Sequence, residues 1–343
     1  MDDTYEEAMT ALMREIPTLQ QATGVPAISL ALVRDAAVVG VAACGLASVQ
    51  PPRPVTADTL FQAASLSKPL FASAVLGLVA QGDLELDTPL TSYVPDLYVP
   101  DDPLLTQITA RYVLCHMTGW PNWRPEGGPL VRARPPGTAF GYSGEGYLYL
   151  QTAIERIVGQ PLDAYMQEVV FKALGMHAST YRWAAAGDPA VAQAHDRTGQ
   201  PLAPYVGDRP EASSSLHTTP TDFARFLCAL LNAGAKPGYL QASSIAEMLH
   251  PQVELADGVA WGLGWGLENS DHGTVCWHWG DNPGYKCLTV AEPAERMGIV
   301  MMTNGDGGLQ MCERLVRLIF DYDHPGFRWL ASAFYDAPTL ADM

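Results

Sequence analysis

The first part of the chain changes from a helical pattern to a strand pattern. Between residues 2 and 21, apolar residues lie three or four positions apart and acidic residues occupy the first turn, which predicts an amphipathic helix that Pro17 kinks or ends early. Two apolar runs follow, Pro26–Val33 and Ala37–Ala43, with only three residues between them. This spacing is typical of an antiparallel hairpin.

The middle of the chain has a different character. After a Pro-rich passage at residues 50–55, helical patterns alternate with Gly- and Pro-containing loops from about Ser65 to Met248. The clearest helical segments are Ile154–Val158, Pro161–Phe171 and Thr219–Leu231. We therefore expect a mainly helical region here.

Short strand patterns return beyond His250, and Leu309–Phe320 predicts a closing helix. The predicted strands are Val259–Leu267, Thr274–Gly280, Lys286–Ala291 and Met297–Thr303. The sheet is thus split in sequence, which predicts an α/β (α+β) fold: an antiparallel sheet flanked by terminal helices, with an all-helical lobe inserted and a cleft at the seam. The expected units are a discontinuous α/β sheet domain (1–62 and 250–324), a mainly helical domain (63–249) and a C-terminal extension (325–343).

Composition narrows the possible partners. The 343 residues carry a net charge of −17, and no basic run is present to follow a phosphate backbone, so we expect no nucleic-acid partner. The acidic first residues do not resemble a signal peptide, and no stretch of about 18 apolar residues occurs. We expect a cytoplasmic protein without a membrane partner; the oligomeric state stays open.

The cysteine and histidine residues do not suggest a metal or a cofactor. The six cysteines are scattered without a Cys-x-x-Cys pair, and no His-Glu-x-x-His occurs. Cys276, His278 and Cys287 form the nearest mixed group and are more simply explained as strand residues. We expect reduced thiols, no metal site and no cofactor.

The first candidate for chemistry is Ser65-Leu-Ser-Lys68, at the start of a helix that Gly82 is placed to end. In a helix, Ser65 and Lys68 share a face, and Pro69 fits if the motif lies in the first turn. A buried Lys beside the positive helix terminus has a lowered pKa, so a neutral amine there accepts the Ser hydroxyl proton. The alternative is a Ser helix cap and a solvated Lys, which is the usual explanation of an isolated Ser-x-x-Lys.

The second candidate is Tyr142, on a turn-rich stretch ahead of a helix expected to begin near Leu148. A phenol with a pKa of about 10 needs roughly 4 kcal/mol of preferential stabilisation to reach a pKa of about 7, and a neighbouring Lys cation supplies such stabilisation in a partly dry site. The alternative is a structural aromatic residue that packs on Pro136.

The third candidate is the strand that carries His278. Alternation places His278 and Gly280 on one face and Trp277 and Trp279 on the other. Gly280 leaves a gap where a substrate approaches the backbone, and an N–H just after it is a candidate oxyanion-hole donor together with the N–H of Ser65. The alternative for His278 is a half-buried structural imidazole.

Taken together, Ser65-x-x-Lys68, Tyr142-Ser-Gly144 and His278-Trp-Gly280 resemble the β-lactamase and penicillin-binding serine hydrolase family. The resemblance is strongest to its class C-like branch, including the family VIII carboxylesterases and the D-aminopeptidase-type members, and it covers about Ile28 to Phe320. Further similar stretches are Leu114-Cys-His116-Met-Thr118-Gly119, Leu174-Gly175-Met176, Trp261-Gly-Leu-Gly-Trp265 and Met301-Met-Thr303-Asn304-Gly305.

The resemblance implies a β-lactamase/transpeptidase-like fold with Ser65 as nucleophile. It also implies that Lys68 and Tyr142 share proton transfer, that the His278 motif lines the opposite side of the cleft, and that the N–H groups of Ser65 and Asp281 form the oxyanion hole. Which of Lys68 and Tyr142 is the base for acylation stays open. The substrate-binding candidates are Ser65, Gly144, Trp279, Gly280 and Asp281.

Two departures from the family pattern point away from β-lactams. Gly144 stands where the family usually has Asn, and His278 stands where true β-lactamases and transpeptidases usually have Lys. The leading hypothesis is a carboxylesterase acting on small or medium esters through an acyl-Ser65 intermediate. Its candidate apolar walls are Trp120, Trp123, Trp277 and Trp279. The alternatives are a β-lactamase or a D-amino-acid peptidase or amidase, and, from another class, a non-catalytic ligand-binding protein on the same fold.

Overall fold

The computed structural model describes residues 3–94, 96, 98–100, 102–232, 240–256, 258–320, 322–338 and 340. The helices are α1 (Asp3–Thr23), α2 (Ser67–Gln81), α3 (Ala110–Leu114), α4 (Gly144–Val158), α5 (Leu162–Met166), α6 (Lys172–Leu174), α7 (Pro220–Leu231), α8 (Ala242–Met248), α9 (Gly308–Val316) and α10 (Pro325–Tyr335). None of the helices built from these residues is long and apolar enough to cross a membrane.

The strands come from the two ends of the chain, with two short strands in the middle. They are β1 (Ala27–Arg34), β2 (Ala37–Val49), β3 (Pro52–Pro54), β4 (Phe61–Ala64), β5 (Leu216–Thr218), β6 (Val253–Ala256), β7 (Val259–Trp261), β8 (Gly266–Ser270), β9 (Gly273–Asn282), β10 (Tyr285–Glu292) and β11 (Met297–Thr303). Over the described ranges, nine of them form one antiparallel sheet in the order β3-β2-β1-β11-β10-β9-β8-β7-β6. β4 and β5 form a separate antiparallel pair.

The sheet closes where the N-terminal hairpin meets the C-terminal strands. β1 pairs with β2 on one side and with β11 on the other, with Ile28 opposite Thr303. Every residue from Ala27 to Val33 is buried, and consecutive side chains of a strand point to opposite faces, so both faces of the sheet are covered here. α1, α9 and α7 supply this cover. The predicted split sheet and hairpin are confirmed.

The helical region is built around α2. Its residues from Ser67 to Leu76 are all buried, which is typical of a helix in the core rather than on the surface. The helix ends at Gly82, whose φ of 82° is the left-handed conformation that glycine adopts most easily. Pro69 lies in the first turn, as predicted, and Lys68 is therefore part of a buried helix start.

Several element boundaries differ from the sequence-based expectations. α4 begins at Gly144 rather than near Leu148, because the Ser143 side chain caps the helix by accepting the Gly146 N–H at 3.0 Å. The expected strand 259–267 is two strands, since Gly264 with a φ of 86° makes a turn between them. Pro17 does not end α1, and the carbonyl that loses its partner belongs to exposed Met13.

Candidate active site

Ser65 lies in the turn between β4 and α2. The residue before it, Ala64, has a φ of 50°, which is a strained conformation for a residue with a Cβ. Such strain is typically found at active sites, where it costs roughly 1–3 kcal/mol. Unlike the buried residues around it, Ser65 is partly exposed. The turn therefore leaves Ser65 partly accessible while anchoring it to a buried strand and a buried helix.

Lys68 is within hydrogen-bond distance of this hydroxyl. Its Nζ lies 2.9 Å from Ser65 Oγ and donates to the Ser213 carbonyl at 2.8 Å. The side chain is completely buried, and burial lowers the pKa of Lys68 to about 7, against the opposing effect of the Glu211 carboxylate. A neutral amine beside Ser65 is thus abundant near neutral pH. Neither Ser213 nor Glu211 was among the residues predicted from the sequence.

Tyr142 lies against the same lysine, since Lys68 Nζ is 4.7 Å from the centroid of the phenol ring. Burial raises the pKa of Tyr142, and Asp281 raises it further, whereas the nearby Ser65 hydroxyl opposes this rise. The expectation that the lysine brings this phenol to a pKa near 7 is therefore wrong: desolvation outweighs the attraction. Tyr142 is a protonated phenol, which is a proton donor.

His278 lies on β9, with its ring centroid 6.3 Å from that of Tyr142. Its Nδ1 is 2.7 Å from the Trp279 carbonyl oxygen, so Nδ1 donates and Nε2 carries no proton. Burial and the nearby Lys68 lower the pKa of His278 to about 3. The imidazole is accordingly neutral at physiological pH, and among the described residues its Nε2 has no hydrogen-bond partner.

A second histidine, His116, stacks on the Tyr142 ring. The two rings stack at 4.2 Å, and His116 Nδ1 accepts the Ser143 N–H at 3.0 Å. Burial lowers the pKa of His116 well below its usual value, so this ring is neutral as well. The sequence placed His116 in a stretch similar to the family without giving it a role. Its left-handed φ of 57° is not visible in a sequence pattern.

Gly144, the position where the resemblance expects Asn, has no room for a side chain. A Cβ there would lie 2.8 Å from the Trp123 ring and 3.1 Å from the Asn122 carbonyl oxygen. Its N–H donates to the Asn122 side-chain oxygen at 2.9 Å. The half-exposed Trp123 ring, one of the predicted apolar walls, thus fills the space that a longer side chain would take.

Gly280 has a different role from the one expected. A Cβ at this position would lie 2.2 Å from the Ala63 carbonyl oxygen. The gap that the sequence suggested for substrate is therefore filled by the backbone of β4, and the glycine lets β9 approach the segment that leads to Ser65. The prediction that the Asp281 N–H is an oxyanion donor stays a prediction.

The four tryptophans expected as apolar walls divide into two groups. Trp279 has its ring 4.9 Å from Tyr142 and belongs to the site, as Trp123 does through Gly144. Trp120 and Trp277 are buried in the core instead, each among other aromatic rings. The strand alternation that predicted opposite faces for His278 and Trp279 misses that both rings lie near Tyr142.

Asp281 is held by two partners. Lys286 Nζ lies 2.9 Å from one carboxylate oxygen, and the Tyr335 hydroxyl donates to the other at 2.6 Å. Tyr335 belongs to α10, in the extension for which the sequence indicated no role. Across the described ranges, no group of His, Cys, Asp and Glu side chains is arranged to hold a metal ion. The arrangement offers a hydroxyl, a neutral amine and a protonated phenol, which are the groups that acyl transfer needs.

Comparisons with known proteins agree with this chemistry. The Beta-lactamase family model matches residues 5–323. Esterase EstB of Burkholderia gladioli is 34% identical over 164 residues, which are 38% of this chain and 41% of EstB, so the match spans less than half of that esterase. Penicillin-binding protein 4 of Amycolatopsis lactamdurans is 26% identical over 288 residues, or 73% of this chain and 74% of that protein.

Among solved structures, the β-lactamase/D-alanine carboxypeptidase from Pseudomonas syringae is similar with a TM-score of 0.82 and 19% identity. The similarity covers 93% of this chain and 100% of that chain, which shows a shared β-lactamase/transpeptidase fold. Since the family model matches nearly the whole sequence and this structure shares its fold, the chain belongs to the Beta-lactamase family of serine hydrolases.

Proposed function

We propose that the protein is a carboxylesterase that hydrolyses small or medium uncharged esters through an acyl-Ser65 intermediate. The observation that carries the proposal is the 2.9 Å contact between Ser65 Oγ and a buried Lys68 whose pKa is about 7. A weak nucleophile needs an adjacent base, and this amine is the base with the matching pKa.

The reaction begins when Lys68 takes the Ser65 hydroxyl proton and Ser65 Oγ attacks the ester carbonyl carbon. The tetrahedral intermediate collapses, the bond to the alcohol oxygen breaks, and Tyr142 gives that oxygen a proton, which Lys68 then returns to the phenol. A water molecule attacks the acyl-enzyme with the same groups in reverse order, releasing the acid and restoring Ser65. This division of roles follows from the lowered pKa of Lys68 and the raised pKa of Tyr142.

The charges around the site favour an uncharged substrate. His278 is neutral at physiological pH, and Lys286 is paired with Asp281 and Asp306, so neither offers a free cation to a substrate carboxylate. Aromatic surface from Tyr142 and Trp279 suits an apolar group. The similarity to esterase EstB supports the same choice.

The test is hydrolysis of p-nitrophenyl esters by the parent protein and by Ser65→Ala. We expect the variant to lose at least about 10³-fold in kcat/KM, because removing a nucleophile removes the covalent route. Ser243→Ala, on the exposed side of α8, is the matched control and keeps the parent rate. Equal rates for Ser65→Ala and the parent would exclude Ser65 from the mechanism.

The second candidate is a β-lactamase or a D-amino-acid peptidase, which the similarity to penicillin-binding protein 4 over 73% of the chain favours. Nitrocefin and a D-alanyl amide distinguish it from the esterase. A faster turnover of either one than of the p-nitrophenyl esters would replace the esterase proposal. A non-catalytic scaffold predicts instead that a fluorophosphonate leaves Ser65 unmodified in the folded protein.

A further inference from the structure

The segment that follows α9 folds back onto Tyr142 and Trp279, and its first part is anchored by a buried polar network. His324 Nδ1 lies 2.7 Å from Glu268 Oε1, and both side chains are fully buried. The Gly326 N–H donates to the other Glu268 oxygen at 2.8 Å. Since Glu268 is part of β8, the start of α10 is fixed to the sheet two strands away from β10.

Close packing continues this attachment along the helix. A Cβ at Gly326 would lie 2.5 Å from Trp277 Nε1, so the start of α10 packs directly on the Trp277 ring. Two aromatic side chains of the helix then contact the same tryptophan, with the Phe327 and Trp329 rings each 6.2 Å from the Trp277 ring. These contacts with the buried Trp277 fix the direction of α10 toward Tyr142 and Trp279.

The last turn of α10 reaches the proposed catalytic groups. The Phe334 ring is 5.5 Å from the Tyr142 ring and 5.0 Å from the Trp279 ring. The next residue, Tyr335, donates its hydroxyl to Asp281 at 2.6 Å and so ties the helix end to the end of β9. Phe334 is 37% exposed, whereas Trp279 is only 3% exposed. Phe334 therefore lies between the buried Trp279 ring and solvent.

We propose that Phe334 determines specificity by closing the part of the cleft that receives the alcohol group of the ester. This rests on the proposed function: Tyr142 gives its proton to the leaving alcohol oxygen, so the alcohol part lies beside Tyr142. The ring of Phe334 occupies the surface along Tyr142 and Trp279 that a longer alcohol group would use. The acyl group lies on the opposite side of the ester carbonyl from the alcohol group, so we expect Phe334 to leave acyl selectivity unchanged.

The experiment measures kcat/KM for two ester series, one with a constant butyryl group and alcohols from ethyl to octyl, the other with a constant ethyl alcohol and acyl groups from acetyl to octanoyl. Phe334→Ala uncovers Trp279, so we expect the octyl-to-ethyl ratio of the first series to rise at least about tenfold. The acyl series keeps the parent profile. Phe334→Trp, which adds bulk at the same point, lowers the octyl-to-ethyl ratio.

Leu318→Ala is the matched control, because Leu318 is a similarly exposed apolar side chain, at 42%, outside the cleft. An alcohol profile of Phe334→Ala equal to that of Leu318→Ala, or a change confined to the acyl series, would overturn the proposal. Fluorophosphonate labelling of Ser65 in the parent tests the proposed function separately. Labelling with unchanged alcohol ratios removes only the role of Phe334, whereas absence of both labelling and ester hydrolysis removes both proposals.

Discussion

At the scale of single residues, the site depends on an amine that is buried without a carboxylate to pair with it. Within the described part of the chain, the hydrogen-bond partners of Lys68 Nζ are the Ser65 hydroxyl and the Ser213 carbonyl. A charged amine in such surroundings loses its hydration free energy, and no ion pair compensates for the loss, so the neutral form is favoured. Glu211 moderates this effect from a distance by raising the pKa.

This arrangement predicts how activity depends on pH. Because the pKa of Lys68 is lowered to about 7, its reactive neutral form is lost as pH falls through 7, and kcat/KM rises between about pH 6 and 8 before levelling. Glu211→Gln removes the carboxylate that raises the pKa of Lys68, so the midpoint of the kcat/KM profile moves to lower pH. Glu254→Gln, on the exposed side of β6, is the control and leaves the midpoint of the profile unchanged. A profile that is flat from pH 6 to 9 would be incompatible with Lys68 as the base.

A second prediction concerns Gly144 and the ring that fills its side-chain space. Gly144→Asn forces Trp123 out of position and costs about 1–3 kcal/mol of unfolding free energy, because overpacking strains its neighbours. Adding Trp123→Ala recovers part of this loss, while Trp123→Ala alone has a small effect since the ring is half-exposed. Urea unfolding of the two single variants and the double variant gives the coupling free energy between positions 144 and 123. Strictly additive effects would mean that the two positions do not share this space.

At the scale of elements, sequence patterns identified the long strands and the motif positions but neither the short strands β3 to β6 nor the closest contacts. The periodicity of residues 27–34 and 297–303 was sufficient for β1 and β11, because both are long buried strands. The stacking of His116 on Tyr142 and the approach of β9 to Ala63 at Gly280 depend on backbone conformations and tertiary packing that one sequence does not encode locally. The contact between Phe334 and Tyr142 was likewise not predicted, since the two residues are far apart in the sequence.

The buried anchor of α10 gives a prediction at the same scale. His324→Ala removes one hydrogen-bond partner of the buried Glu268 carboxylate, which keeps the Gly326 N–H, and costs about 1–3 kcal/mol of unfolding free energy. Loosening α10 also frees Phe334, so this variant gains activity on octyl relative to ethyl butyrate. Arg328→Ala, on the exposed side of α10, is the control for both measurements. Full stability of His324→Ala in urea would show that the network does not hold the helix.

At the scale of the whole molecule, the predicted family and fold are confirmed, whereas the division into domains at residues 63 and 250 and the cytoplasmic location stay predictions. Three motifs identified the family because their order and their separations along the whole chain match the family pattern. The substrate is less accessible to such reasoning, since it depends on which side chains fill the cleft. Gly144 and His278 pointed away from β-lactams only because the Asn and Lys that the family usually has at these positions are absent. The side chains around the site, such as Trp123, Trp279 and Phe334, come from three distant segments of the chain.

The pairing of β1 with β11 constrains how the chain acquires this structure. The Ala27 N–H donates to the Asn304 side chain, a contact between residues 277 positions apart, and the neighbouring strand ladder joins the same two regions. Contacts of such long sequence separation form slowly, because the loop between them must be ordered or closed first. During synthesis the hairpin leaves the ribosome long before its partner strand exists. The helical lobe therefore has the opportunity to fold first, and the sheet is completed only when β11 has emerged.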